Sequence, residues 1–300
     1  MDLKAKLADP QQTVLLYGTT PPRAGSPQEQ VRAAADKLAA RLRPLPLDAV
    51  VVYDIQDETG RTQLARPFPF TGTIDPRAYA RALGFPAIVY KALGSLDEAA
   101  WQAWLDETAP HHPLVSVVGR PTSGVRHALP LSRAIRLAAA RLTVGGVVIT
   151  ERHGLERSEA ARLLAKGIQG CAYFISQTVY HAPPTQQLLR DYLRDCRGAD
   201  TPPRRIVLSF APAGREKTMQ FLRWLGVHIP PATERAILGA ADPLARSIEI
   251  CRDNLRRILD QAYAREIPLG INVESVSINR DEIDASVELF HVLKETLEGR

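Results

Sequence analysis

The amino-acid sequence predicts a (β/α)8 barrel, and three observations favour this fold. Eight short runs of apolar, mostly β-branched residues recur along a chain of 300 residues. Segments with apolar residues at helical spacing lie between most of these runs. The runs are apolar throughout rather than alternating with polar residues, which indicates strands buried on both faces of a parallel sheet. Eight such units in about 270 residues match the usual size of a closed barrel.

The predicted elements follow one another as strand and helix along the chain. Strands are predicted at 14–18, 49–55, 86–92, 114–119, 145–150, 172–176, 204–210 and 270–276. Helices are predicted at 32–43, 95–109, 131–142, 158–167, 185–196, 216–226 and 253–265. An open doubly wound sheet is the alternative, but no GxGxxG loop follows the first strand. Because no linker is visible, we treat residues 1–300 as one domain.

Composition and charge exclude several classes of protein. Apolar residues make up 45% of the chain and charged residues 24%, which excludes disordered, collagen-like and coiled-coil proteins. No apolar run approaches the roughly 20 residues that span a bilayer and no secretory signal is visible, so we expect a cytoplasmic protein without a membrane partner. The net charge is +5, but the basic residues are scattered over helix faces, so we expect no nucleic-acid partner. Cys171, Cys196 and Cys251 lack the spacing of a disulfide framework or a zinc site. A homo-oligomer or a partner protein is left open by the sequence.

Candidate functional residues lie at the predicted C-terminal ends of the strands, where the loops of a barrel converge on its axis. These strand ends carry polar residues at 18–23, 54–62, 90–91, 119–124, 150–153, 177–181, 211–215 and 277–280. The segment 56–81 is too polar and too broken by proline and glycine to be one helix. A loop of that length in a compact domain is often functional.

Short fragments at six of these positions follow an order shared with a known enzyme family. They are YGTTPPR at 17–23, ITERH at 149–153, Lys166 with Gly170 and Cys171, ISQTVY at 175–180, FAPAGREKTMQFLRWLGVHIP at 210–230 and SINR at 277–280. In the same order they resemble the FEFFPPR, YPEVH, KxxxGA, ITQFFF, PGIxP and LNR motifs of the methylenetetrahydrofolate reductases. The chain resembles this family over most of its length.

The resemblance implies an enzyme of one-carbon metabolism and methionine biosynthesis. It implies a flavoprotein that takes a hydride from NAD(P)H onto FAD and reduces 5,10-methylenetetrahydrofolate to 5-methyltetrahydrofolate. On the folate side, Gln177 matches the residue that binds the pterin, Phe221 matches the aromatic residue packed against folate, and Arg280 lies in the terminal motif. Positions at or near the flavin in the family are matched by Thr62, His153, Glu159 and Lys166.

Two acidic residues of the family are replaced in this chain. Gly18 stands where the family has the glutamate that protonates the folate ring, and Arg120 stands where it has an aspartate near the flavin. Arg120 is predicted to favour an anionic reduced flavin, or to pair with a nucleotide phosphate or the glutamate tail of folate. A replacement proton donor is sought among Asp54, Asp57, Glu58 and Glu151. We predict Glu151 first, because it ends a strand beside His153, and we also assign Asp54 to the catalytic set.

Other interpretations of these residues stay open. Phe221 is also spaced for core packing on a helix, and Lys166 is also placed to interact with a helix C-terminus. Glu151 and His153 flank one residue as some metal ligands do, but without a third ligand we predict no metal site. The alternative function is a divergent folate-binding barrel without the flavin reaction, which includes a flavin-free reductase, a methyltransferase-type accessory protein and a folate carrier. An unrelated barrel enzyme is a third interpretation, since fold alone does not fix function.

Overall fold

Eight parallel strands close into a barrel, with each strand paired to its neighbours in chain order and the last paired to the first. The computed structural model describes residues 2–57, 63–94, 96–119, 129–154 and 158–299. The strands are β1 Val14–Thr19, β2 Ala49–Val52, β3 Ala87–Ala92, β4 Leu114–Val118, β5 Thr143–Val148, β6 Cys171–Thr178, β7 Arg205–Phe210 and β8 Leu269–Glu274. The predicted (β/α)8 barrel is confirmed.

Helices alternate with the strands. They are α1 Leu3–Ala8, α2 Gln28–Leu42, α3 Pro76–Leu83, α4 Glu98–Thr108, α5 Leu131–Ala139, α6 Glu159–Ile168, α7 Ala182–Gly198, α8 Glu216–Trp224, α9 Pro231–Leu238, α10 Pro243–Leu259 and α11 Arg280–Glu298. Short 3-10 helices cover Thr150–Arg152 and Ala262–Glu266. No helix in the described ranges is both long enough and apolar enough to cross a membrane.

The strands are buried on both faces, as their apolar sequences predict. On β1, Val14 and Leu16 belong to an inner core that fills the barrel, whereas Leu15 and Tyr17 belong to an outer core packed against the helices. The inner core also includes Leu3 and Leu7 of α1. Helix α1 therefore closes the N-terminal end of the barrel and leaves the C-terminal end as its open mouth.

The ends of four strands differ by two residues or more from the predicted ends, and this changes which residues face the mouth. Strand β5 ends at Val148 rather than at residue 150, so Glu151 lies in the 3-10 helix after the strand and not at the strand end where it was predicted. Strand β2 ends at Val52 rather than at residue 55, and β8 ends at Glu274 rather than at residue 276. Strand β6 continues to Thr178, with an irregular register against β7 between Ile175 and Thr178. Because the β-branched residues continue past the true ends of β2 and β8, composition alone did not locate them.

Candidate functional site

The mouth of the barrel carries a connected network of polar side chains from β6, β7, β8 and the residue that follows β2. Thr178 Oγ1 donates a hydrogen bond to Glu274 Oε1 at 2.6 Å. The Tyr53 hydroxyl also hydrogen-bonds to the Glu274 carboxyl group. Asn272 Nδ2 donates to Tyr53 Oη at 2.9 Å and to Ser209 Oγ at 3.0 Å. Four separate segments of the barrel are thus linked around one carboxyl group.

Gly18 leaves the space that this network fills. It is paired in register with Val51 of β2 and with Glu274 of β8. A Cβ atom at residue 18 would lie only 2.5 Å from Tyr53 Oη. The hydroxyl of Tyr53 therefore occupies the volume of the missing side chain, and Glu274 lies on the adjacent strand.

Glu274 lies in surroundings that favour its protonated form. Burial raises the pKa of Glu274, and the hydrogen bonds from Thr178 and Tyr53 only partly oppose that rise. Burial, together with the nearby Glu274 carboxyl, also raises the pKa of Tyr53. The contacts given by the described residues to Glu274 come from hydroxyl groups and not from a cation. A carboxyl group in such a setting is suited to exchange a proton or to accept hydrogen bonds from a ligand.

Gln177 and Glu151 both contact the segment that follows α8. Gln177 Nε2 donates to the carbonyl oxygen of Leu225 at 2.5 Å, while Gln177 Oε1 is buried and meets no hydrogen-bond donor in the described part of the chain. The backbone N–H of His228 donates to Glu151, which also accepts from Thr150 Oγ1 at 3.1 Å. Burial raises the pKa of Glu151. The structure thus places these two predicted site residues at one segment, 225–228.

Phe221 belongs to an aromatic cluster between α8 and the segment after β2. Its ring is stacked with Trp224 at a centroid distance of 5.9 Å and meets Phe68 edge-on at 5.8 Å. The guanidinium carbon of Arg66 lies 4.5 Å from the centre of the Trp224 ring. Phe221 is only partly buried, so its ring contributes to the surface of the cluster as well as to packing.

Asp54 and Arg280 make their hydrogen bonds and ion pairs with residues outside the polar network and the aromatic cluster. Asp54 Oδ2 accepts from the backbone N–H of Ala92 at 3.0 Å and lies 3.4 Å from Lys91 Nζ, which ties the end of β2 to β3. The side chain of Arg280 is 86% exposed and lies 3.4 Å from Asp284 on the same helix. The contacts of Arg280 do not bring it together with Gln177 or Phe221.

His153 and Lys166, both assigned to the flavin by the resemblance, are held by the barrel wall and its helices. His153 Nε2 lies 2.9 Å from Asp191 Oδ2 on α7, and His153 Nδ1 is buried without a hydrogen-bond partner among the residues that the structure describes. Lys166 Nζ donates to the carbonyl oxygen of Val147 on β5 at 2.8 Å. Burial lowers the pKa of Lys166. Each of these side chains is therefore held by a polar contact with a helix or a strand of the barrel.

Glu159 has a structural partner as well. It is buried at the start of α6 and accepts from Arg162 Nη1 at 3.0 Å. Thr62 and Arg120, the remaining predicted flavin contacts, lie outside the described residues. Glu159 also acts electrostatically on Lys166. The assignment of these residues to a flavin stays a prediction.

Glu274, Tyr53 and Asn272 are functional candidates that were not predicted from the sequence. Strand eight was predicted over 270–276, which placed Glu274 within a strand rather than at its end. Two signals were present, namely an acidic residue in an otherwise apolar run and the closure of a barrel, which places strand eight beside strand one and Gly18.

Comparison with solved structures finds a neighbour of the same length and fold. The chain is similar to an uncharacterized protein from Clostridium thermocellum that binds two copies of 5-methyl-5,6,7,8-tetrahydrofolic acid. The two are 28% identical, with a TM-score of 0.83 over 98% of this chain and 99% of that chain. A dihydropteroate synthase from Thermus thermophilus matches with 15% identity and a TM-score of 0.44, over 96% of this chain and 95% of that one.

No protein-family model matches this chain, and no curated protein matches it. The resemblance to the methylenetetrahydrofolate reductases therefore stays a prediction. The first structural neighbour shares the barrel along its full length, and that neighbour is a protein that binds 5-methyltetrahydrofolate.

Proposed function

We propose that this chain binds a reduced folate of the 5-methyltetrahydrofolate type in the mouth of its barrel. The observation that carries the proposal is the similarity, over 98% of the chain, to a protein that binds this molecule. The neighbour and this chain are 28% identical, and each is covered almost completely by the other. The mouth is also where a (β/α)8 barrel builds its ligand site.

The acceptor atoms of the mouth suit a pterin ring. The pterin edge carries an amino group and a ring N–H, which are hydrogen-bond donors. Gln177 Oε1 and Asn272 Oδ1 are both buried acceptors without a hydrogen-bond partner among the described residues, and the Glu274 carboxyl group lies in the same network as Asn272. A buried acceptor without a donor costs about 1–3 kcal/mol, which a ligand donor would recover. We propose that Gln177, Asn272 and Glu274 bind the pterin ring.

The aromatic cluster suits the benzoyl part of the same ligand. Phe221, which the resemblance assigns to folate, is stacked with Trp224 on the last turns of α8. Leu225, the residue after Trp224, accepts the hydrogen bond from Gln177. A ligand that reaches from Gln177 along this turn would place an aromatic ring against Phe221.

A second candidate function is the reduction of 5,10-methylenetetrahydrofolate, and Glu274 is the observation that favours it. Opening the folate ring requires a proton on a ring nitrogen, and Gly18 has no side chain to supply one. Glu274 lies on the strand beside Gly18, and burial raises its pKa. In this candidate Glu274 takes the role that we predicted for Glu151. The reaction also needs a hydride donor, which the resemblance gives as NAD(P)H through FAD.

Titration of the protein with 5-methyltetrahydrofolate, followed by isothermal calorimetry, tests the binding proposal. Gln177→Leu removes a buried amide from the mouth, and we expect the dissociation constant to rise about tenfold or more. Gln186→Leu is the matched control, because Gln186 Nε2 also donates to a backbone carbonyl oxygen, that of Arg257 at 2.7 Å, but on α7. No binding by the unaltered protein, or equal weakening by both substitutions, would contradict the proposal.

The reductase candidate requires a separate measurement. The protein is incubated with FAD, freed of unbound FAD and assayed for NAD(P)H oxidation with 5,10-methylenetetrahydrofolate. Glu274→Gln keeps an amide oxygen that can accept from the pterin but has no acidic proton, so we expect turnover to fall about 100-fold, well beyond any rise in the dissociation constant of 5-methyltetrahydrofolate. Binding of folate without any turnover would favour the folate-binding barrel over the reductase.

A further inference from the structure

Arg66 is a cation enclosed by aromatic rings at the mouth of the barrel. Its guanidinium carbon lies 4.5 Å from the ring centre of Trp224, 5.2 Å from that of Phe70 and 5.8 Å from that of Phe221. Its Nε and Nη1 atoms are buried and find no hydrogen-bond acceptor within the described ranges. A guanidinium group in such surroundings has lost water without gaining acceptors for these donors.

The described residues give Arg66 no carboxylate partner. Contact with aromatic faces attracts a cation, but the faces do not replace the in-plane acceptors that guanidinium N–H groups require. Other arginines near the rim are paired, as Arg223 is with Glu234 and Arg215 is with Asp281. Arg66 therefore lacks an anionic hydrogen-bond acceptor among the described residues, and a planar carboxylate fits a guanidinium group best.

The position of Arg66 matches one end of the proposed ligand. Trp224, the ring closest to the guanidinium, directly precedes Leu225, whose carbonyl oxygen holds Gln177. Gln177 and Arg66 therefore contact two consecutive residues at the end of α8. A folate molecule has its pterin at one end, a benzoyl ring in the middle and glutamate carboxylates at the other end. An amide at Gln177, the aromatic faces of Phe221 and Trp224, and the guanidinium group of Arg66 supply one matching contact for each of those three parts.

We propose that Arg66 binds a glutamate carboxylate of the folate, while the benzoyl ring lies against Phe221 and Trp224. This inference rests on the proposed folate-binding function. It assigns the tail to a residue of the segment after β2 and not to Arg280, whose side chain is 86% exposed and pairs with Asp284. Arg66 then makes the protein selective for folates over pterins that lack the glutamate.

Two ligands that differ only in the glutamate test this assignment. The dissociation constants of 5-methyltetrahydrofolate and of the primary amide of 5-methyltetrahydropteroate, which has a benzamide in place of the benzoyl-glutamate and so carries no carboxylate, are measured for the unaltered protein and for Arg66→Met. We expect the substitution to raise the dissociation constant of 5-methyltetrahydrofolate about tenfold or more. The value for the primary amide is expected to change less than about twofold, because that ligand has no carboxylate.

Two further variants separate binding from folding. Arg66→Lys keeps the charge and is expected to retain part of the preference for the glutamate-bearing ligand, whereas Arg133→Met, at an arginine paired with Glu98 on the outer surface, is expected to leave both dissociation constants unchanged. Equal weakening of both ligands by Arg66→Met would make Arg66 a packing residue and overturn the inference. So would an effect on FAD binding without one on 5-methyltetrahydrofolate, because the guanidinium would then serve a phosphate. If the unaltered protein bound neither folate ligand, the proposed function itself would fail.

Discussion

At residue 18 the backbone of β1 passes the hydroxyl group of Tyr53 with no side chain between them. A Cβ atom there would lie 2.5 Å from Tyr53 Oη and 3.0 Å from the nearest ring carbon. Tyr53 in turn accepts from Asn272 at 2.9 Å and hydrogen-bonds to Glu274. The absence of a side chain at Gly18 is therefore a condition for the whole network, in which the acidic group is Glu274 of β8.

We predict that Gly18→Ala lowers the free energy of unfolding by about 1–3 kcal/mol, because the added methyl group displaces the Tyr53 hydroxyl from its partners. The cost is expected to be smaller in a Tyr53→Phe background, where the clashing oxygen is absent. Urea denaturation of the four proteins of this double-mutant cycle measures the coupling between the two residues.

Gly198→Ala is the control for that cycle. A Cβ atom at Gly198 meets no atom within 4 Å, so its substitution is expected to change the free energy of unfolding by less than about 0.5 kcal/mol. Equal costs of Gly18→Ala with and without the Tyr53 hydroxyl would show that the network does not depend on this space.

Only some of the residues at the mouth could be singled out from the sequence, and the reason is geometric. Gln177, Phe221 and Glu151 came from local motifs, and the structure places them at α8 or the segment that follows it. Arg66 and Glu274 gain their importance from contacts with residues that are distant in the chain. Glu274, for example, meets Thr178, which lies 96 positions earlier, and no local pattern encodes that contact.

Helix α1, which closes the N-terminal end of the barrel, is bound to the barrel by one buried arginine. Arg205 begins β7 and is 1% exposed, and its guanidinium group donates to the carbonyl oxygens of Leu7 at 3.1 Å, Lys6 at 3.3 Å and Leu269 at 3.0 Å. It also donates to the carbonyl oxygen of Asp9. The carbonyl oxygens at the C-terminal end of α1 have no hydrogen-bond donor within the short helix, and they accept hydrogen bonds from the buried guanidinium group. The hydrogen-bonding needs of the arginine and of the helix end are thus met together.

We predict that Arg205→Met lowers the free energy of unfolding by about 3 kcal/mol in the full chain, because several buried carbonyl groups lose their donor. In a chain that lacks residues 2–9, the same substitution is expected to be neutral or stabilising, because the guanidinium group would otherwise be buried without those acceptors. Thermal or urea unfolding of the four proteins measures this reversal of sign.

The neighbouring Arg204 is exposed and directly precedes the same strand, so Arg204→Met is the matched control and is expected to have little effect in either chain. A cost of Arg205→Met that is the same with and without α1 would indicate that the helix does not hold the guanidinium group.

At the scale of elements, periodicity predicted all eight strands and seven of the helices. It did not predict α1, α3 or α9, because helices of six to eight residues contain too few turns for a period to be recognised. It also missed α11, a helix of 19 residues that follows the last strand. The function of α1 depends on Leu3 and Leu7 entering the inner core, which is a property of the closed barrel. Where each strand stops was also decided by tertiary contacts rather than by composition.

Across the whole molecule, carboxyl groups differ in pKa according to their place in the barrel. On the outer surface, the hydrogen bond from Arg215 lowers the pKa of Asp281, and that from Arg133 lowers the pKa of Glu98. At the mouth, burial raises the pKa of Glu274 and of Glu151. Surface pairs therefore contribute stability that is lost as the pH falls, whereas the mouth carboxyl groups oppose folding as the pH rises.

The opposite sign at the mouth yields a prediction for the stability curve of the whole protein. An unfolded Glu274 loses its proton near its ordinary pKa of 4.5, while the folded protein keeps that proton to a higher pH. Between these two values the unfolded state is favoured by up to about 1.4 kcal/mol per pH unit, and above the folded pKa the penalty is constant. Glu274→Gln has no proton to lose, so the free energy of unfolding of this variant relative to the unaltered protein should increase as the pH rises above 4.5 and then level off.

Urea unfolding of both proteins at a series of pH values measures that difference, with Glu288→Gln on the exposed face of α11 as the control. The control should give a curve parallel to that of the unaltered protein. Parallel curves for Glu274→Gln as well would mean that Glu274 titrates alike in the folded and unfolded chains, and the mouth would then hold an ordinary carboxylate.

A ligand that donates hydrogen bonds to Glu274 stabilises its charged form, so saturating 5-methyltetrahydrofolate should reduce the pH dependence that Glu274 causes. The same curves, recorded with and without the ligand, thus connect the chemistry of the mouth to the stability of the barrel.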